Sequence, residues 1–214
     1  MSNGERFRLV VFDLDGTLLE TESSWATLNR IFGSECPETM QCFVRGEIDY
    51  AEFMRRDIGR WPIPLHISRV REALADWSLR PGAEMVVEAL RERGFELAIL
   101  TGAVRVFAEE VAAHLGIRRL LANELVTDEG GFLTGEARMH VDPLRKELAL
   151  ERICQASGTT PQACITVGDS ELDRSFLHAG GLGVLVGDAR RGEALGVPSV
   201  PELAGLLALV DARS

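Results

Sequence analysis

Residues 10–19 read VVFDLDGTLL. An apolar run that ends in two aspartates, two positions apart, poses a physical problem. Carboxylates beside a buried strand are costly unless something pairs with them. The wider run RLVVFDL (8–14) is β-branched and breaks at Gly16, which predicts a buried strand of a parallel sheet. The side-chain period of a strand sets Asp13 and Asp15 on one face. Two carboxylates that close repel, so a divalent cation is their natural partner.

Three further runs have the same character: FELAILTG (95–102), ACITVGD (163–169) and GLGVLVG (181–187). The stretches between them carry helical spacing and helix boundaries. PGAEMVVEALRERG (81–94) has Pro at its start and Gly at its end, VRVFAEEVAAHLG (104–116) stops at Gly116, and DPLRKELALERICQASG (142–158) opens on an Asp cap and closes on Gly158. Strand–helix alternation predicts an α/β fold with a parallel sheet and right-handed crossovers. Ligands bind such sheets at the carboxyl ends of the strands. Three of the predicted strands deliver polar residues there: Asp13 and Asp15, Thr101, and Asp169.

Two insertions interrupt the alternation. Residues 20–79 contain helical stretches such as ETESSWATLNRIFG and ISRVREALADWS, and predict a small helical domain over the strand ends. The core is then 1–19 with 80–214. NELVTDEGGFLTGEA (123–137) alternates and turns through DEGG, as a β-hairpin does.

The candidate chemistry comes from the residue types. Asp13, Asp15 and Asp169 form an oxygen-only set with room for water, which suits Mg²⁺. Lys146 offsets the acidic charge and suits a phosphate oxygen. Thr101 and Gly102 end a strand before a helix, where backbone N–H groups and a hydroxyl also suit phosphate.

DLDGTL, LTGA, Lys146 and GDSELD together resemble the four motifs of the haloacid dehalogenase superfamily. Their order and spacing, with ANELVTDEGGFLTGEA, are similar to its phosphoserine-phosphatase-like branch over nearly the whole chain. The resemblance implies a Rossmann-like core with a helical cap, and a Mg²⁺-dependent phosphomonoesterase acting on a small phosphorylated metabolite. Asp13 is then the nucleophile and Asp15 the general acid and base. Mg²⁺ is held by Asp13, the Asp15 carbonyl and Asp169. Thr101, Gly102 and Lys146 hold the phosphoryl group, Thr17 positions the first motif, and Asp173 orients Lys146 or a metal-bound water. Glu22 matches a cap residue that contacts substrate. The chain departs from the pattern at Leu172, where Asn is common. It departs again at Asp57, which matches the place of an arginine for the substrate carboxylate. An aspartate there repels a carboxylate, which turns the expectation from phosphoserine towards another phosphomonoester.

Composition narrows the alternatives. The 214 residues carry a net charge of −10, with no basic cluster, which argues against nucleic acid as a partner. The polar N-terminal stretch and the lack of a long apolar run predict neither secretory leader nor membrane span. The four cysteines lack CxxC spacing, which fits reduced thiols in a cytoplasmic protein. A phosphotransferase to an alcohol acceptor shares this chemistry. A signalling receiver module also gathers acids, a Ser/Thr and a Lys at strand ends, but it needs no inserted helices and no second Asp in DLDGT.

Overall fold

In the computed structural model, which describes residues 7–21 and 23–213, the opening run forms β1 (Leu9–Phe12), buried along its length. The other strands are β2 (Glu96–Val104), β3 (Arg119–Thr127), β4 (Leu133–Arg138), β5 (Cys164–Gly168), β6 (Leu182–Val186) and β7 (Ser199–Val200). They make one seven-stranded sheet in the order β4-β3-β2-β1-β5-β6-β7. Every neighbouring pair is parallel except β3 with β4, which forms the antiparallel hairpin. This is the α/β, Rossmann-like class of fold.

The topology explains why the polar strand ends meet. β1 pairs with β2 on one side and β5 on the other, with Phe12 level with Ile99 and Val167. The chain first builds outward through β2 and β3, then returns to the far side of β1 to lay down β5. That reversal opens a crevice at the carboxyl ends, where ligands of such sheets sit.

Helices cover both faces because alternate strand residues point opposite ways. Val10 and Phe12 join the core lined by α5 (Ala83–Glu92), α6 (Arg105–His114) and α10 (Gly205–Asp211). Leu9 and Val11 face α7 (Lys146–Ala156), α8 (Arg174–Ala179) and α9 (Ala189–Leu195).

Between β1 and α5 run α1 (Ser24–Ile31), α2 (Pro37–Val44), α3 (Tyr50–Ile58) and α4 (Ile67–Ala73). The chain leaves and re-enters the sheet region through paired segments. Leu19 bridges Leu79, Glu20 N–H donates to the Ser78 carbonyl at 3.0 Å, and Arg80 N–H donates to the Leu18 carbonyl at 2.8 Å. Aromatic rings hold these helices together. Trp25 meets Trp61 at 5.7 Å and Phe53 at 5.9 Å, and Tyr50 stacks on Phe53 at 5.1 Å. No described helix is long and apolar enough to cross a membrane.

Candidate active site

β1 stops at Phe12, one residue before Asp13, because the chain turns there. The Leu14 carbonyl accepts from Thr17, Leu18 and Leu19, and Gly16 takes φ +73°. Strand alternation therefore does not reach Asp15, and the expectation that the two aspartates share a strand face is corrected. Gly16 is required twice over. Its φ lies in the left-handed region, and a Cβ there would stand 2.4 Å from Asp169 Oδ2.

Asp13 and Asp15 line one cavity of about 420 Å³ but have different partners. Asp13 lies 2.8 Å from Lys146 Nζ, and both are almost wholly buried. Asp15 Oδ2 accepts from the N–H and Oγ of Ser24, each at 2.7 Å, at the start of α1. Asp15 Oδ1 is buried without a hydrogen-bond partner. Burial raises both carboxyls; for Asp13 it prevails over the pull of Lys146 and, with Asp173 nearby, pushes it up to about 8.

Lys146 opens α7 and bridges two acids. Its Nζ donates to Asp173 Oδ1 at 2.6 Å as well as facing Asp13. Burial works against its charge, but Asp13 and Asp173 prevail and raise its pKa. Asp173 is itself fully engaged. Its Oδ2 accepts from Asp169 N–H at 3.1 Å, from Ser170 N–H at 3.0 Å and from Ser170 Oγ at 3.0 Å. Gly168 allows this closeness, since a Cβ there would lie 2.6 Å from Asp173 Cγ.

Asp169 comes directly after β5, and its Oδ1 accepts from Thr17 Oγ1 at 3.2 Å. Burial and Asp173 push its carboxyl up to about 6. Carboxylate oxygens of Asp13, Asp169 and Asp173 lie within 4.8 Å of one another. An all-oxygen set of this kind suits a hard divalent cation. With Asp173 holding four donors, Asp13 and Asp169 are the members with capacity for a metal ion, and Asp173 rather than the Asp15 carboxylate completes the acid cluster.

Thr101 and Gly102 sit inside β2, which runs on to Val104 past the predicted end of the strand. Thr101 Oγ1 accepts from Ala103 N–H at 3.1 Å. The Gly102 carbonyl accepts from Trp25 Nε1, Tyr50 Oη and Asn123 Nδ2, each at 3.1 Å. Asn123, Ser24 and Trp25 are residues of this cavity region that reading the motifs alone misses. Asn123 has a visible signal, an amide within the strand LLANEL; its Oδ1 accepts from His140 and Val141 N–H. Arg80 is another, reaching the Gly16 carbonyl. Glu22 lies outside the described residues.

Asp57 departs from expectation in position. It is buried on α3, takes a 2.6 Å hydrogen bond from Asn29 Nδ2, and lies 3.6 Å from Arg60. It lines a neighbouring cavity with Asn29 and Phe53, not the one that holds Asp13. The two cavities adjoin, sharing Ser23, Trp25 and Met40.

Comparison with known proteins runs along the same lines. The family model of haloacid dehalogenase-like hydrolases matches residues 10–178. The chain is 30% identical over 179 residues to a phosphoserine phosphatase of Archaeoglobus fulgidus, covering 83% of this chain and 52% of that protein. It is 34% identical over 183 residues to a phosphoserine phosphatase of Halobacterium salinarum, covering 82% and 84%. It thus spans about half the length of the first and most of the second. A solved structure described as a phospho-aspartyl intermediate analogue of phosphoserine phosphatase superposes with TM-score 0.79 at 22% identity, covering 95% of this chain and 99% of that one. That likeness is one of fold. The chain belongs to the haloacid dehalogenase-like hydrolases. Its relatives from Archaeoglobus fulgidus and Halobacterium salinarum are both phosphoserine phosphatases.

Proposed function

We propose that this chain is a cytoplasmic, Mg²⁺-dependent phosphomonoesterase that hydrolyses a small phosphorylated metabolite through an aspartyl-phosphate on Asp13. The observation that carries the reading is Asp13 at a strand end, 2.8 Å from a buried lysine, in a cavity also lined by Asp15, Thr101 and Asp169. Phosphoryl transfer needs placement and charge neutralisation more than it needs bond-making groups.

The Asp13 carboxylate attacks phosphorus while the bond to the alcohol oxygen breaks. Asp15, held through Oδ2 by Ser24, gives its proton to that oxygen from Oδ1. Burial, which raises its carboxyl, keeps that proton available. In the second half water attacks phosphorus, the bond to Asp13 breaks, and Asp15 recovers a proton from the water. Lys146, Thr101 and Gly102 hold the phosphoryl oxygens. Asp173 holds Lys146 in place, and Thr17 holds Asp169. Asp13, Asp169 and the Asp15 carbonyl would hold a divalent cation, which would supply charge to offset the phosphoryl group. Residues 20–79 form the cap over a core of 1–19 and 80–214. The partner is a small molecule, not nucleic acid.

The test is phosphate release from a panel of phosphorylated metabolites with Mg²⁺, together with acid quenching to trap the phosphorylated protein. Release that stops on chelation, with phosphate trapped on Asp13, is the expected result. The reading fails if no monoester is hydrolysed, or if Asp13→Asn keeps more than about a tenth of the activity. Adding an alcohol separates hydrolysis from phosphotransfer, since transfer lowers free phosphate relative to substrate consumed.

A further inference from the structure

The cavity wall opposite the acids bears on the substrate's leaving group, and the preference drawn from it rests on the phosphatase function proposed above. Trp25, Met40, Phe43, Val44 and Tyr50 line that wall, from α1, α2 and α3. The indole N–H of Trp25 and the hydroxyl of Tyr50 both donate to the Gly102 carbonyl. The wall therefore meets a ligand with carbon surface.

Charge points the same way. Among the described residues lining the cavity, Lys146 is the only basic side chain, and it stands between Asp13 and Asp173. A divalent cation and Lys146 together would balance the carboxylates of Asp13, Asp169 and Asp173, with Asp15 holding its proton as general acid, and the phosphoryl group brings further negative charge. A carboxylate on the leaving group would then be desolvated without a cation. Four arginines of the inserted region are engaged elsewhere. Arg45 reaches Glu47 at 3.8 Å, Arg55 and Arg56 share Glu52 at 2.6 Å each, and Arg60 donates to Thr39 Oγ1 at 2.9 Å.

We infer that the substrate is a phosphomonoester of an uncharged alcohol with an apolar or aromatic body, and that phosphorylated amino acids are selected against. The apolar wall takes the body of the alcohol, and the absence of a second cation excludes a carboxylate.

The experiment compares kcat/KM for benzyl phosphate, phosphoserine and phosphoethanolamine with Mg²⁺, in the wild type and in Val44→Arg. In all three the leaving group is a primary alcohol, so intrinsic reactivity is comparable. Val44 lines the cavity yet is 55% exposed, so an arginine is accommodated there without disturbing the core. Benzyl phosphate is expected to exceed phosphoserine and phosphoethanolamine by about tenfold or more, the scale of a well-placed pocket contact. Val44→Arg is expected to raise phosphoserine turnover by about tenfold and to lower that of benzyl phosphate. Equal or better turnover of phosphoserine or phosphoethanolamine by the wild type overturns the inference while the phosphatase reading stands. So does a Val44→Arg protein whose preference is unchanged. No turnover of any of the three, nor of other monoesters, removes the phosphatase reading itself.

Discussion

At one side of the cavity Asp13, Asp169 and Asp173 crowd around Lys146, and nearly every polar atom has a charged neighbour. At the other side Trp25, Phe43 and Tyr50 present rings, with their polar atoms turned to a backbone carbonyl. The first side comes from the adjacent ends of β1 and β5, the turn after β5 and the start of α7; the second comes from helices inserted after β1. Charges at strand ends are fixed by sheet register, so they keep their geometry as a unit. Rings on short helices are held by packing and a few hydrogen bonds, so they can change without loss of the sheet. Chemistry and selection are thus carried by separable parts.

The sharpest way to break this division is at Asp13. Asp13→Asn removes the proposed nucleophile while the sheet and the inserted helices remain, and activity on any good substrate is expected to fall by about 10³ or more. Steady-state phosphate release, alongside unchanged circular dichroism, checks it. Next comes Lys146→Met, which leaves Asp13 and Asp173 buried without their cation. Loss of a partner from a buried pair costs about 3–5 kcal/mol, which denaturant unfolding would read. An effect under about 1 kcal/mol would mean that the cluster is better solvated than its burial implies.

On the other side effects are smaller. Tyr50→Phe removes one of three donors to the Gly102 carbonyl, and a loss of about 1 kcal/mol or less is expected, since Trp25 and Asn123 remain. Its kcat/KM is expected to change far less than that of Asp13→Asn. Asp57→Asn gives the mildest change and a pH signature. Burial raises the Asp57 carboxyl, so the folded state favours its protonated form. Wild-type stability is then lost as pH rises from the ordinary carboxylate value through the raised one. The variant does not titrate there, so its stability relative to wild type is expected to grow as pH rises above the ordinary carboxylate value of about 4. Unfolding midpoints across that range measure it, and a difference that is flat in pH would count against the burial of that charge.

Much of the strand-end side was legible because its signals are local. Apolar β-branched runs end abruptly in Asp13, Thr101 and Asp169, and a parallel sheet with β1 at its centre brings such ends together. The partners of those residues were less legible. Ser24 binds Asp15, and nothing in SSW says which serine caps the helix and which reaches the acid; Ser23 does the first and Ser24 the second. The three donors on Gly102 depend on where α1, α3 and β3 dock, which no local pattern encodes. Asp57 illustrates the limit on the other side. Matching a motif gave its place in the chain, but packing turned it towards Asn29 and a different cavity. The two-residue β7 is too short to leave a periodic trace.

The peptide that joins Gly102 to Ala103 is gripped at both ends, its oxygen by Trp25, Tyr50 and Asn123 and its N–H by Thr101. Two of those grips come from the inserted helices. Lifting these helices to admit a molecule would let go of the same peptide that must be rigid to receive it. Admission and capture are in this way reciprocal, each biasing the other by the same free energy, like a door whose bolt is also the seat inside.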